Sequence, residues 1–296
     1  TNVTVGIVQG NVAQDEKWSP ERRSETIANY IESSNRLLAK NPKTTLIVWP
    51  ETALPFYPRD SKLFLPVRQF ARENKVAVLT GAPWYEIIDW DNRLFSYFNS
   101  ALLVGSDARI NGTYFKSHLV PYGEYVPLKK YMPFLAPLVE AVGDFTPGTV
   151  DEPLVVGDAR AGVLICYESI FGEIGRAWVK NGANLFVNLT NDAWYGKSSA
   201  PYHSMAMTTL RAVETRRSLV RSANTGISGF VDPLGRVSKS SGLFEPWADA
   251  AEVPLMDIET PFVRGGFLFA PLCGCLGLLC FFYAALNGRR ERKTVL

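Results

Sequence analysis

Histidine is nearly missing from this 296-residue chain, which has only His118 and His203. No Cys/His pair stands at zinc spacing, so a histidine-rich metal site is not expected, while a carboxylate site stays open on that count. Cysteine is scarce as well. Cys166 stands alone, and Cys273, Cys275 and Cys280 share one apolar tail, which makes no disulfide framework. Charge of one sign is also lacking: 31 Lys+Arg against 29 Asp+Glu leave a net charge of +2, which argues against a nucleic-acid reader with its basic stripe. With 47% hydrophobic, 12% aromatic and 20% charged residues, intrinsic disorder is excluded, because enough apolar surface is present to offset chain entropy. The length allows one large domain or two small ones, and there is no internal repeat or low-complexity segment.

The longest uncharged run is at the C-terminal end. Phe267–Leu286 reads FLFAPLCGCLGLLCFFYAAL, and as a helix rising about 1.5 Å per residue it spans roughly 30 Å, the hydrocarbon thickness of a bilayer. The alternative is a buried core helix. Arg289, Arg290, Arg292 and Lys293 crowd its far flank against Arg264 alone upstream, so the positive-inside rule places the tail in the cytoplasm and the large domain across the membrane. At the other end, Thr1 leads within two residues into the apolar run VTVGIVQ, with no charged n-region, h-region or cleavage site before it. A domain that is exported without such a segment is expected to be the C-terminal part of a longer membrane protein, or a chain shorn of its export signal.

Between these ends, β-branched runs alternate with helical patterns. Strands are predicted at Val3–Gln9, Thr45–Trp49, Val76–Thr80, Ser100–Val104, Gly162–Cys166, Asn184–Leu189 and Ser218–Ser222. A helix is predicted to start with Ser19 as N-cap and Pro20 in its first turn, burying Ile27, Tyr30, Ile31, Leu37 and Leu38. Further helices are expected over Lys62–Glu73, Phe171–Asn181 and Pro201–Arg217. Asn111-Gly112 reads as a two-residue hairpin turn and Asp232-Pro233-Leu234-Gly235 as another turn. The pattern is that of an α/β layered domain with added antiparallel pairs. Residues 82–98 and 121–148 break it as long, greasy loops, carrying Trp84, Ile88 and Trp90 and the stretch Tyr131–Val139. They either pack on the domain or form a membrane-facing lid.

Three reactive side chains stand at the ends of apolar runs, where α/β proteins gather catalytic groups. Glu51, after LIVWP, is a general base with a burial-raised pKa or a surface carboxylate. Lys116, within YFKSHL, is an oxyanion stabiliser or a snorkelling surface lysine. Cys166, after GVLI, is a nucleophile whose pKa helix-end amides would lower, or a small core residue. Together they supply base, stabiliser and nucleophile for acyl transfer. His118, two residues past Lys116, would share its face in an extended strand and suggests a Cys–His dyad, a weaker reading. His203 is read as loop or helix-start structure, and Asn191-Asp192-Ala193-Trp194 as a loop fixed by side-chain-to-backbone hydrogen bonds.

The ordered set Glu51, Lys116 and Cys166 resembles the nitrilase, or carbon–nitrogen hydrolase, superfamily. Local patterns resemble its apolipoprotein N-acyltransferase family more closely: Val8-Gln9-Gly10-Asn11 with Lys17-Trp18, Trp49-Pro50-Glu51-Thr52, Lys116-x-His118-Leu119-Val120-Pro121-Tyr122-Gly123-Glu124, and Cys166-Tyr167-Glu168. They continue with Asn191-Asp192-Ala193-Trp194-Tyr195-Gly196, Arg211-Ala212-x-Glu214 and Arg221-Ser222-x-Asn224-Thr225-Gly226, so the resemblance covers residues 2–240 and the final apolar span. Members of that family also carry N-terminal transmembrane helices that this sequence does not include.

The resemblance implies a nitrilase-like αββα sandwich over 1–262, a transmembrane helix over 263–287 and a basic cytoplasmic tail over 288–296. It implies a ping-pong transfer, without metal or cofactor, of an acyl chain from a membrane phospholipid to Cys166. The chain then passes to the α-amino group of the S-diacylglyceryl-cysteine that begins an apolipoprotein. Glu51 would take the thiol proton, and Lys116 with the Tyr167 N–H would hold the oxyanion. Glu124 would orient Lys116 or the amine, Tyr167 and Glu168 would shape the pocket, and Trp18 would lie near substrate unless it is a core residue. The implied setting is a monomer in the bacterial inner membrane with a periplasmic catalytic domain and no nucleic-acid partner. A membrane-tethered amidase and an inert nitrilase-like binding module are the rivals. A small polar amide needs neither greasy loops nor a membrane span, and the intact Glu51–Lys116–Cys166 set counts against an inert scaffold.

Overall fold

A computed structural model describes residues 1–13, 17–127 and 144–294, with side chains to Leu286. In chain order the strands are β1 (Asn2–Gln9), β2 (Leu46–Val48), β3 (Ala77–Asp89), β4 (Leu94–Val104), β5 (Ile110–Phe115), β6 (Leu154–Val156), β7 (Ala159–Ile165), β8 (Leu185–Thr190), β9 (Ser218–Ala223), β10 (Gly229–Val231), β11 (Val237–Ser240) and β12 (Trp247–Pro254). They form two six-stranded sheets, ordered β12-β1-β2-β3-β4-β5 and β11-β10-β9-β8-β7-β6. Each has a parallel centre, β1-β2-β3 in one and β7-β8-β9 in the other, flanked by antiparallel strands. The helices are α1 (Arg23–Lys40), α2 (Leu65–Asn74), α3 (Gly172–Lys180), α4 (Ala200–Thr215), α5 (Pro261–Gly265) and α6 (Phe269–Thr294).

Side-chain parity sets the layers. Val5 and Ile7 of β1 and Leu46 and Val48 of β2 join Val163 and Ile165 of β7 and Val187 and Leu189 of β8 in one core. The opposite parity, Val8 and Ile47, packs with Ile27, Tyr30 and Leu37 of α1 and Val67 and Phe70 of α2. Trp178 of α3 and Met205 and Ala212 of α4 cover the other sheet. The order is helix, sheet, sheet, helix. Strand centres buried on both faces explain why they read as unbroken apolar runs.

Several expectations change. Residues 82–98 are no loop but the outer part of the β3–β4 hairpin, paired from Val78↔Val104 to Asp89↔Leu94. Pro83 and the mixed aromatic pattern hid this strand. Along it Tyr85 and Tyr97 pack on Tyr57 and Phe95 packs on both of them, while Ile88, Trp90 and Leu94 stand exposed at the far end. Tyr131–Val139 lies outside the described residues. Asn111-Gly112 makes no turn. It sits inside β5 at a register shift, and the chain reverses at Gly105–Arg109 instead. Gly112 lies close against Leu154, whose Cδ2 would have to shift from a Cβ at 2.6 Å. Ser19 stands at the N-cap position, with Pro20 next, but of a 3-10 turn and without a side-chain capping bond. Its hydroxyl donates to Glu21, and the turn, Pro20–Arg22, leads into α1. The Asp232–Gly235 turn is present, closed by Gly235 N–H to Asp232 O at 2.9 Å.

The tail divides differently from the expected span. Val263 is buried in α5, which Thr260 caps, and the chain breaks at Gly266 before α6 begins. Phe269–Leu286 is long and apolar enough to cross a membrane, with a mean hydropathy of 2.0, and 0% of it is buried. That excludes the buried core helix.

Candidate active site

Glu51 owes its place to the way β2 ends. Trp49 donates its N–H to Leu79 O at 2.9 Å and the Pro50 carbonyl still accepts the Gly81 N–H at 3.1 Å, but Pro50 has no N–H with which to continue the ladder. The Trp49 ring stacks on Tyr30 at 5.1 Å and its Nε1 donates to Ser34 Oγ at 3.0 Å, fixing the exit of the strand. The chain then turns through Thr52, held in the left-handed region at φ 49°. That turn lies directly on β3 because residue 81 is glycine: a Cβ there would meet Thr52 N at 2.4 Å and Glu51 Cα at 2.6 Å.

The Glu51 carboxylate belongs to a buried frame. Asn99, from β4, donates Nδ2 to Glu51 Oε1 and to Glu124 Oε1, each at 2.8 Å. Glu124 Oε2 pairs with Lys116 Nζ at 2.8 Å and accepts the Val120 N–H. Lys116, just past β5, is 1% exposed, so the snorkelling reading fails. Burial alone would lower its ammonium, but Glu51, Cys166 and Glu124 together hold it above its ordinary range. A second buried ammonium, Lys17, donates to the Glu51 backbone oxygen at 3.1 Å. Burial lowers it to about 8, against the pull of Glu51 and Cys166. Glu51 itself is raised, by burial first and by Glu124, with Lys116, Asn99 and Lys17 opposing.

Cys166 follows β7 directly and starts a 3-10 turn, Cys166–Ile170. It adopts φ 50°, an uncommon left-handed conformation for a side-chain-bearing residue and a strained one. Its expected low pKa is overturned. Burial and then the Glu51 charge push the thiol up to about 12, more than Lys116 and a hydrogen bond with Thr190 pull it down. The short 3-10 turn does not reverse that balance. A thiol this high stays protonated at neutral pH until a base takes its proton, and the Glu51 carboxylate is close enough for its charge to act on it.

Glu168 is a brace. Its two oxygens accept from Ile165 N, Tyr114 Oη, Ser117 N and Oγ, and His118 N, at 2.7–3.0 Å, tying the turn that carries Cys166 to the segment after Lys116. Burial still raises its pKa. Tyr167 is half-buried against Phe171 and the His118 ring. β5 ends at Phe115, so His118 does not share a strand face with Lys116. Its ring is exposed against Phe171, and no dyad forms. Trp18 is 47% exposed and so is no core residue. His203 lies in the first turn of α4. Asp192 bonds to side chains, Thr190 and Arg221, instead of to backbone. Among the described residues no group of three His, Cys, Asp or Glu is arranged to hold a metal. Asn99 and Thr190 were not singled out from sequence, and Lys17 entered only as half of the Lys17-Trp18 motif, with no role given to it. Each sits within an ordinary strand or loop, and its place in the site comes from contacts across the fold.

A profile of the carbon-nitrogen hydrolase family matches residues 4–259. An apolipoprotein N-acyltransferase of Geobacter metallireducens is 43% identical over 270 residues, covering 91% of this chain and 51% of that protein. One of Methylococcus capsulatus is 36% identical over 297 residues, covering 99% of this chain and 55% of its own. The chain thus spans about half the length of the curated relatives it matches. Among solved structures it is similar to an amidase of Nesterenkonia sp. AN1 that carries the acetamide moiety of fluoroacetamide on its active site cysteine. That match has TM-score 0.64 and 19% identity over 90% of this chain and 94% of the amidase. It is also similar to Nit3 of Saccharomyces cerevisiae, a member of branch 10 of the nitrilase superfamily, with TM-score 0.65 and 16% identity over 89% and 92%. At that identity these two establish the sandwich fold alone.

Proposed function

The chain belongs to the carbon–nitrogen hydrolase family, and from that premise we propose that it is the catalytic part of an apolipoprotein N-acyltransferase. The observation that carries the chemistry is the meeting of Glu51 and Lys116, held on one sheet, with the strained Cys166 on the other. The acceptor and donor are supported by the relatives' names and by the exposed 18-residue apolar stretch of α6 on the same chain.

Glu51 takes the Cys166 proton as the sulfur attacks the ester carbonyl of a membrane phospholipid. The tetrahedral oxyanion faces the Lys116 ammonium and the Tyr167 N–H, which lies in the first turn of the 3-10 segment without an intrahelical acceptor. Collapse expels the lysophospholipid alkoxide, which receives the proton from Glu51, and leaves a thioester. The α-amine of a diacylglyceryl-cysteine then gives a proton to Glu51 as it attacks. The amide forms and the thiol is restored. Glu124, bound to both Asn99 and Lys116, orients the ammonium.

The relatives are bacterial proteins, and in this reading α6 spans the inner membrane, with the sandwich periplasmic and the basic end cytoplasmic. The test is incubation of the parent protein with phospholipid and a synthetic diacylglyceryl-cysteine peptide. N-acylated peptide is expected, and its absence with ammonia released from amides would favour the amidase rival.

A further inference from the structure

The frame around Glu51 hangs entirely from the first sheet and the segments that follow it. Cys166 has separate support on its own sheet. β7 and β8 run parallel with Ile165 beside Leu189, so the next residues, Cys166 and Thr190, stand side by side. The Thr190 hydroxyl is positioned to hydrogen-bond the Cys166 thiol and donates to Asp192 Oδ1 at 3.0 Å. Asp192 is 1% exposed, and its other oxygen pairs with Arg221 Nη2 at 2.9 Å.

Arg221 is 0% exposed and has a partner for each of its five N–H groups. Nε donates to Ile227 O, Nη1 to Asn188 Oδ1 and Thr208 Oγ1, and Nη2 to Asp192 and Ser204 Oγ. Asn188 in turn donates to Leu164 O, two residues before the nucleophile. Residue 226 must be glycine beside this pair, since a Cβ would lie 2.1 Å from Asp192 Oδ2. A guanidinium so fully fixed leaves Asp192 one orientation, and Asp192 then fixes the hydroxyl.

We propose that Thr190 is a further catalytic residue, whose hydroxyl aims the Cys166 sulfur and stabilises its thiolate, with Asp192 and Arg221 as positioning residues. The inference rests on the reading of Cys166 as the acyl-carrying nucleophile. In the resting state the hydroxyl proton lies on the Asp192 side and a lone pair faces the S–H. When the thiol proton passes to Glu51, the hydroxyl turns its own proton to the sulfur, while Asp192 keeps the Arg221 ion pair. Thioester formation removes the negative sulfur and the hydroxyl returns to Asp192. In the deprotonation only the S–H bond breaks and its proton passes to Glu51; as the thioester C–S bond forms, the ester C–O bond breaks and the leaving alkoxide takes that proton.

Thr190→Val keeps the shape and removes the hydroxyl, while Thr190→Ser keeps the hydroxyl. In the full-length parent, the pH midpoint for iodoacetamide alkylation of Cys166 should rise by about one unit in Thr190→Val. Acylation from phosphatidylethanolamine micelles should fall about tenfold or more. Thr190→Ser should restore both, which a purely structural role would not require. A Thr190→Val protein with the wild-type pH profile and rate overturns the proposal. A readout that needs no change at Thr190 is the infrared S–H band of Cys166, with Cys273, Cys275 and Cys280 replaced by serine. A band at the hydrogen-bonded position is expected, and one at the free-thiol position overturns the proposal even if Thr190→Val fails to fold. Acylation persisting in Cys166→Ala would instead remove the nucleophile reading itself, so the two failures are distinct.

Discussion

Glu51 must be ionised to act as a base, yet burial raises its pKa. Acylation should therefore fall as pH drops through a value above the ordinary carboxylate pKa of about 4.3, and a rate profile with its acid limb at the ordinary value would contradict the assignment. The sign for stability is opposite. A carboxyl raised in the folded state favours folding below its unfolded pKa, and that contribution is lost as pH rises through the folded one. Glu51→Gln should thus have a Tm at or above wild type at neutral pH, with the gain vanishing in acid, while acylation is suppressed. At Lys116, replacement by Met removes the oxyanion partner and should cost roughly 10²-fold or more in acylation rate. It also removes a cation that opposes the upward shift of Cys166, so single-turnover alkylation should slow at neutral pH.

At the scale of elements, the close approach of β3 to the Glu51 turn is the sensitive contact. Gly81→Ala sets a Cβ against backbone, which no rotamer change relieves, and should destabilise by about 1–3 kcal/mol while displacing Glu51. Gly157, at φ 56° with open space around it, gives the contrast: alanine there should cost about 1 kcal/mol and leave acylation unchanged. Thermal unfolding and acylation of the two variants separate these outcomes. The β3–β4 ribbon runs past Glu51 in the direction of β2, with Thr80–Asp89 extending roughly 30 Å at about 3.3 Å per residue. Trp90→Ser with Leu94→Ser, both exposed, should leave folding intact and reduce vesicle association, read by flotation.

These elements also mark what could be read from sequence. Glu51 and Cys166 were legible because each interrupts an apolar run where a buried strand ends. Asn99 was not, because only the β3–β4 pairing and the Glu51 turn reveal that its amide joins two carboxylates. The outer ribbon was hidden by Pro83, and the β5 bulge made a strand look like an Asn-Gly turn. The Cys166 pKa ran opposite to expectation because enclosure, which a sequence does not display, outweighs a short turn's amides.

For the whole molecule, a nitrilase-like sandwich brings two half-sites together, Glu51 and Lys116 from one sheet and Cys166 from the other. None of Phe269–Leu286 is buried against the sandwich, so ending the chain after Gly266 should leave the sandwich folded with its Tm little changed and without need of detergent. The most direct test of the central claim is peptide-mapped mass spectrometry of the parent protein after incubation with phospholipid. The expected result is one acyl chain on the peptide containing Cys166, released by hydroxylamine, absent from Cys166→Ala and retained when Cys273, Cys275 and Cys280 are replaced. An acyl chain still found on Cys166→Ala, or mapped to a tail cysteine, would contradict it.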